Sequence, residues 1–230
     1  TAFWPSAPDG SYTLALQVAD RAGNVRNQTY PLGIDTQPPM VTAQVNGTPR
    51  QGWYGEAVTV TLVATDTTSG VAHIDYARGT ATMTATTVQR YQEPLVLATG
   101  GVHHVVHWAT DQAGHQTLPQ TLTVALDLAA PTVVLQQYAL RANKVRLAWQ
   151  ITDDGSGVAQ MEMQIQQGDD AWQPAPWDFT LLSTTDLDLD PERSTKVRAR
   201  AQDHLGRLSD WTTIELWNAA AWLYLPIVQR

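Results

Sequence analysis

The sequence predicts an all-β chain built as tandem antiparallel β-sandwiches. Three observations predict it: a strand-and-turn signature that recurs at near-constant spacing, alternation of apolar and polar residues ahead of each turn, and no stretch with helical periodicity. The signature is an alternating segment followed by Asp, two residues and Gly. Its aspartates, Asp20, Asp111 and Asp203, stand 91 and 92 positions apart, and Gly23, Gly114 and Gly206 close the turns. A second marker, Ile34-Asp35 leading to Pro39 and Leu126-Asp127 leading to Pro131, repeats at 92. A third, Asp66-x-x-Ser69-Gly70-Val71 and Asp153-x-x-Ser156-Gly157-Val158, repeats at 87. Spacing of this order matches one sandwich of about seven strands in about 100 residues.

These markers set the expected organisation. Residues 1–38 hold the second half of a module, 39–130 a complete module, 131–217 another, and 218–230 a tail. Pro38-Pro39 and Pro131 mark short, stiff junctions, because proline fixes φ and cannot donate to a ladder. Within the first segment, Tyr12, Leu14, Leu16 and Val18 form one strand face and Thr13, Ala15 and Gln17 the other. Val58, Val60, Leu62 and Ala64 define a second such strand, and β-branched residues favour that pleated, half-buried surface. In the last module Val197, Ala199 and Ala201 face inward, while Lys196, Arg198, Arg200 and Gln202 face outward.

The turn residues carry a second message. Asp20-Arg-Ala-Gly23-Asn24 after an alternating strand, then Ile34-Asp35 and Pro39, resembles the ends of bacterial immunoglobulin-like modules from large exported proteins. Residues 39–130, with Gly52-Trp-Tyr-Gly55, Asp66, Gly101-Val-His103 and Asp111-x-Ala-Gly114, resemble the same group. Residues 131–217 are more similar to fibronectin type III, on Trp149, Ser156-Gly157, Trp172, the strand into Asp203 and Ser209-Asp-Trp211. His107, His115 and Arg207 depart from the pattern. The resemblance implies immunoglobulin-like and fibronectin type III-like sandwiches, and it implies little about function, because such modules serve as spacers, adhesins and enzyme appendages.

Composition excludes several classes. The 230 residues are 43% hydrophobic and 16% charged, enough to bury a core, and the formal net charge is −8. No clustered Lys/Arg surface is present to meet a phosphate backbone, so no nucleic-acid partner is expected. Cysteine is absent, which excludes disulfides and thiolate metal sites. No apolar run approaches the roughly 18 residues of a transmembrane helix, so no transmembrane segment is expected.

Candidate sites are few. Asp20, Gly23, Asn24, Asp111, Gly114, Asp203 and Gly206 are expected as structural turn residues, Asp accepting backbone N–H bonds and Gly supplying positive φ. No cofactor is expected, and calcium is the candidate ion. Its candidate ligands are Asp186, Asp188 and Asp190, which share one strand face while Leu187 and Leu189 face the core. His103, His104, His107 and His115 cluster in sequence, but alternation sends them to different faces. No catalytic motif is present: neither Gly-x-Ser-x-Gly nor His-Glu-x-x-His occurs. Nine tryptophans, including Trp4, Trp53, Trp177, Trp217 and Trp222 near loops or ends, offer stacking platforms for sugars or packing surfaces between modules. The expected function is a non-catalytic structural or adhesive array, extracellular or at the cell surface. Three alternatives stand beside it: an accessory region of a secreted subtilisin-like protease or glycosidase, a carbohydrate-binding module, and a subunit of a self-assembling filament. Expected partners are upstream domains of the same protein, further copies of this chain, or surface glycans.

Overall fold

A computed structural model describes residues 7–80, 87–141, 143–177 and 183–217. Trp4, Trp222 and the tail from residue 218 lie outside the described residues. Every regular element among the described residues is a strand. The chain opens with β1 (Gly10–Ala19) and β2 (Val25–Ile34). Next come β3 (Met40–Val45), β4 (Trp53–Tyr54), β5 (Val58–Thr65), β6 (Val71–Thr80) and β7 (Gln89–Arg90). They are followed by β8 (Leu95–Leu97), β9 (Gly101–Asp111) and β10 (Gln120–Leu126). The last set is β11 (Thr132–Arg141), β12 (Lys144–Thr152), β13 (Val158–Gln167), β14 (Gln173–Pro174), β15 (Thr184–Asp188), β16 (Thr195–Asp203) and β17 (Thr212–Leu216). Among the described residues the all-β, antiparallel prediction holds, with β4 and β10 paired in parallel over a short stretch.

The described residues divide into two compact units. The first takes those within Thr1–Gly47, Ala57–Ala98 and Val102–Val124; the second takes those within Thr48–Glu56, Thr99–Gly101 and Ala125–Arg230.

In the first unit, β1 and β2 form a ribbon in continuous antiparallel register from Gly10↔Ile34 to Ala19↔Val25. The ribbon pairs with no third described strand, and its apolar side chains stay open: Leu16 is 45% and Val18 68% exposed. Strands β3, β5 and β8 form one sheet, and β10, β9, β6 and β7 run in that order through another. Their inward positions follow the alternation read from the sequence. Val58, Val60 and Leu62 are buried from β5, and Val105, His107, Ala109 and Asp111 from β9.

The second unit is a sandwich of β11-β12-β15 against β14-β13-β16-β17. One apolar core joins the sheets: Val133, Val145, Leu147 and Trp149 from the first, Met163, Val197, Ala199, Ala201 and Leu216 from the second. Each fully buried Val or Leu contributes about 1.5–3 kcal/mol, so this shared layer is the main force holding the sheets together. Burial along β16 alternates without a fault from Thr195 to Asp203, which carries the strand's last side chain, Asp203, into the interior end of the sandwich. Ala125 and Leu126 pair in parallel with Trp53 and Tyr54. That pairing, with the Tyr54 carbonyl accepting from the Asp127 amide at 3.0 Å, places Asp127 where the chain enters β11.

Candidate functional site

Three copies of the Asp-x-x-Gly turn share one hydrogen-bond pattern. In each, the Asp amide donates to the carbonyl four residues on: Asn24, His115 and Arg207, all at 3.0 Å. The closing Gly amide donates back to the Asp carbonyl, and Gly23, Gly114 and Gly206 have φ of 87°, 96° and 94°. An L side chain is strained there, which is why glycine is needed. The fourth residue's amide donates to Asp Oδ1, at 2.9 Å from Asn24, 2.8 Å from His115 and 2.8 Å from Arg207. These contacts are local, so the same few residues rebuild the turn wherever the motif recurs.

The turns differ at Asp Oδ2. Asn24 Nδ2 donates to Asp20 Oδ2 at 2.7 Å, and His115 Nδ1 lies 3.1 Å from Asp111 Oδ2. Arg207 does neither. Its guanidinium donates to the carbonyls of Asp127 and Gly55 instead. Asp203 Oδ2 is left without a hydrogen-bond partner, on a residue only 1% exposed.

A second loop meets each of the later two turns. Asp66 Oδ1 accepts from Thr68 and Gly70 amides at 3.1 and 2.7 Å, and Asp153 Oδ1 accepts from Gly155 and Gly157 at 3.0 and 2.7 Å. The segment after the preceding strand supplies a third carboxylate. Ser69 N–H donates to Asp35 Oδ2 at 3.1 Å, and Ser156 N–H donates to Asp127 Oδ2 at 2.8 Å. The loops are stitched to the turns by backbone bonds, Gln112 N–H to the Gly70 carbonyl at 2.9 Å and His204 N–H to the Gly157 carbonyl at 3.1 Å. The same three-loop device therefore exists twice.

Its carboxylates converge. One oxygen from each of Asp127, Asp153 and Asp203 lies within 4.8 Å of the others, and in the first unit Asp35, Asp111 and His115 offer ligand atoms equally close. Carboxylates this close repel one another. Burial pushes the Asp127 carboxyl up, but the Ser156 hydroxyl and amide, the Ala129 amide and the Arg207 charge outweigh it, and the net direction is down. The Ser156 hydroxyl acts there as a neighbouring dipole, its oxygen lying outside regular hydrogen-bond geometry. Asp35 is likewise lowered, first by the Ser69 hydroxyl and against its own desolvation. Asp127 lies so close to Gly155 that a Cβ there would stand 2.3 Å from its Cγ.

The acidic strand named from sequence is a different place. Asp186 forms a two-pronged pair with Arg146 at 2.7 and 3.1 Å, Asp188 lies 3.7 Å from Lys144, and Asp190 Oδ1 accepts from the Glu192 amide at 2.9 Å. Arg146 holds the Asp186 carboxyl below its ordinary value. Among the described residues these three aspartates are not part of any cluster of close ligand atoms. The histidines do not converge either. His104 Nδ1 meets Thr123 Oγ1 at 3.0 Å, His107 is buried, His115 joins Asp35 and Asp111, and elsewhere His73 Nε2 lies 3.2 Å from Asp75 Oδ2.

In the sequence Asp127 and Asp153 are markers of the repeat, and nothing local brings either of them to Asp203. The available signal was that all three markers repeat together, so their meeting point should repeat too. Three of the described tryptophans have packing roles, while Trp217 is 48% exposed. Trp149 is core, and the Arg198 guanidinium stands 4.3 Å from both the Trp172 and Trp211 ring centroids, with Arg200 4.5 Å from Trp211.

No protein-family model matches the chain, and no curated protein matches it. Among solved structures it is similar to the fibronectin(III)-like modules of Clostridium thermocellum CbhA, with 11% identity and a TM-score of 0.31, over 78% of this chain and 94% of that one. It is similar also to domains A168-A170 of titin, with 13% identity and a TM-score of 0.31, over 90% of this chain and 74% of that one.

Proposed function

We propose that this chain is a non-catalytic run of immunoglobulin-like and fibronectin type III-like modules in a larger exported bacterial protein. It acts outside the cell or on its surface as a structural spacer that positions other domains of the same protein. The reading takes 39–130 and 131–217 as whole modules and 1–38 as part of another. One observation carries it: the three-loop device built on Asp35, Asp66 and Asp111 is rebuilt on Asp127, Asp153 and Asp203. A chain that repeats its joining chemistry, and engages its conspicuous polar side chains in doing so, is organised for stringing sandwiches together. The Arg198 side chain also covers a face of Trp172 and of Trp211 that a sugar could stack on.

The test is a screen of the purified chain against a glycan array and a panel of peptide and glycoside substrates. The spacer reading expects neither binding nor turnover. A glycan ligand lost on Trp217→Ala, or turnover lost on Asp153→Asn, would replace it with a binding module or an enzyme.

A second reading, a self-assembling filament subunit, is favoured by the open ribbon, whose Leu16, Val18, Val25 and Tyr30 side chains are exposed. A two-stranded ribbon is marginal in water and gains by pairing with further strands. Sedimentation across concentration tests it: assembly abolished by Leu16→Asp supports the filament, and a monomer at all concentrations excludes it.

A further inference from the structure

We propose that Asp127, Asp153 and Asp203 together bind one divalent cation, calcium by the chemistry of the donors. Two independent observations meet at this point. The first is geometric: three carboxylate oxygens from three separate chain segments lie within 4.8 Å of one another. The second is the orphaned oxygen. Asp203 is buried to 1% exposure, its Oδ1 is taken by the Arg207 amide at 2.8 Å, and its Oδ2 has nothing. A buried, unpartnered carboxylate oxygen is costly unless something positive faces it.

Comparison of the three turns shows that this is a property of one site and not of the motif. Asn24 and His115 fill the corresponding role at Asp20 and Asp111. Arg207 occupies the same turn position but sends its guanidinium to the Asp127 and Gly55 carbonyls. The three carboxylates outnumber the guanidiniums near them, Arg207 and Arg50, so the cluster keeps a net negative charge. Arg50 donates to the Leu205 carbonyl at 2.8 Å. His204 Nδ1 is spent on the Gly157 carbonyl at 3.0 Å. All three side chains offer hard carboxylate oxygens, which suit calcium with its roughly six to eight flexible ligands better than octahedral magnesium. In the first unit the Asp111 oxygen already faces His115, so that group is expected to take no ion.

Isothermal titration of the chelator-treated chain with calcium chloride, then magnesium chloride, tests this. The expected result is one calcium per chain, with Kd on the order of 10⁻⁵ to 10⁻³ M and weaker magnesium binding. Thermal melting should shift upward by several degrees in millimolar calcium, as for any ligand of the folded state alone. Asp153→Asn keeps Oδ1 for the Gly155 and Gly157 amides while removing a charge, and should weaken binding at least tenfold. Asp203→Asn should do the same, and Asp186→Asn should leave binding unchanged. Melting in chelator confirms that each variant folds; if Asp203→Asn does not, Asp153→Asn decides. No calcium heat together with no thermal shift overturns the proposal, as does binding that survives Asp153→Asn. A melting temperature that rises on acidification in chelator, with no calcium effect, overturns it too and assigns a shared proton to the cluster.

Discussion

Replacing Gly155 by alanine isolates the packing that holds Asp127 in place. The new Cβ would lie 2.3 Å from Asp127 Cγ and 2.6 Å from each of its oxygens. Unstrained carbon contacts need about 3.5–4.0 Å, so the carboxylate must move by more than an ångström. Gly155 is not among the positive-φ glycines, so the backbone accepts alanine and the effect is steric alone. Moving the carboxylate breaks its bond from the Ser156 amide at 2.8 Å and the longer one from Ala129 at 3.3 Å. A hydrogen bond to a charged group is worth about 1.5–3 kcal/mol, and the entropy gain of Gly→Ala returns about 0.4–1. The net cost is about 2 kcal/mol, or roughly 4–8 °C in melting temperature for a chain of this size. Urea unfolding followed by tryptophan fluorescence measures it. Gly79→Ala is the control, since nothing lies within 4 Å of its Cβ position. In an Asp127→Ala background the clash disappears and Gly155→Ala should cost nothing. An equal cost in both backgrounds, or no cost in the parent, refutes the reasoning.

Three further outcomes follow from the same geometry. Arg198→Ala loses two ring contacts at 4.3 Å and both bonds to Gln164 Oε1, and should cost roughly 2–3 kcal/mol in urea unfolding, with Arg198→Lys recovering less than half because ammonium lacks the planar fork; equal stability of all three proteins would refute it. Asp20, Asp35 and Asp127 all have carboxyls held below 3.8, so the stability they confer is complete above that value and is lost as pH falls through their lower folded values. Urea midpoints should therefore be flat from about pH 7 to 5 and drop below about 4, and a midpoint that rises below pH 4 would contradict the sign. The β1–β2 ribbon, with exposed apolar residues on both strands, should exchange its amide protons far faster than β16; equal protection would mean that another element covers it.

Much of this molecule was legible from local chemistry. Period-two alternation marks a strand because successive side chains leave opposite faces, and the alternating burial of β16 from Thr195 to Asp203 repeats the pattern written in the sequence. Asp followed by Gly three positions on makes a turn because the contacts are all within five residues, and so Asp20, Asp111 and Asp203 could be placed without coordinates. The fate of Arg198 was half legible: alternation put it outside, but its position beside Trp172 and Trp211 depends on residues 26 and 13 positions away. The acidic strand's three aspartates are neighbours in sequence, yet basic side chains on β12 pair with two of them.

By itself, then, the sequence determined the strands, the turns and the repeat, since each is governed by interactions among residues a few positions apart. Only the tertiary structure decided that Asp127, Asp153 and Asp203 share one point and that Arg207 leaves Asp203 Oδ2 alone. That meeting requires β13 to pair with β16 and the end of β10 to lie along β4, and strand pairing is fixed by burial across the whole sandwich, which no local window contains.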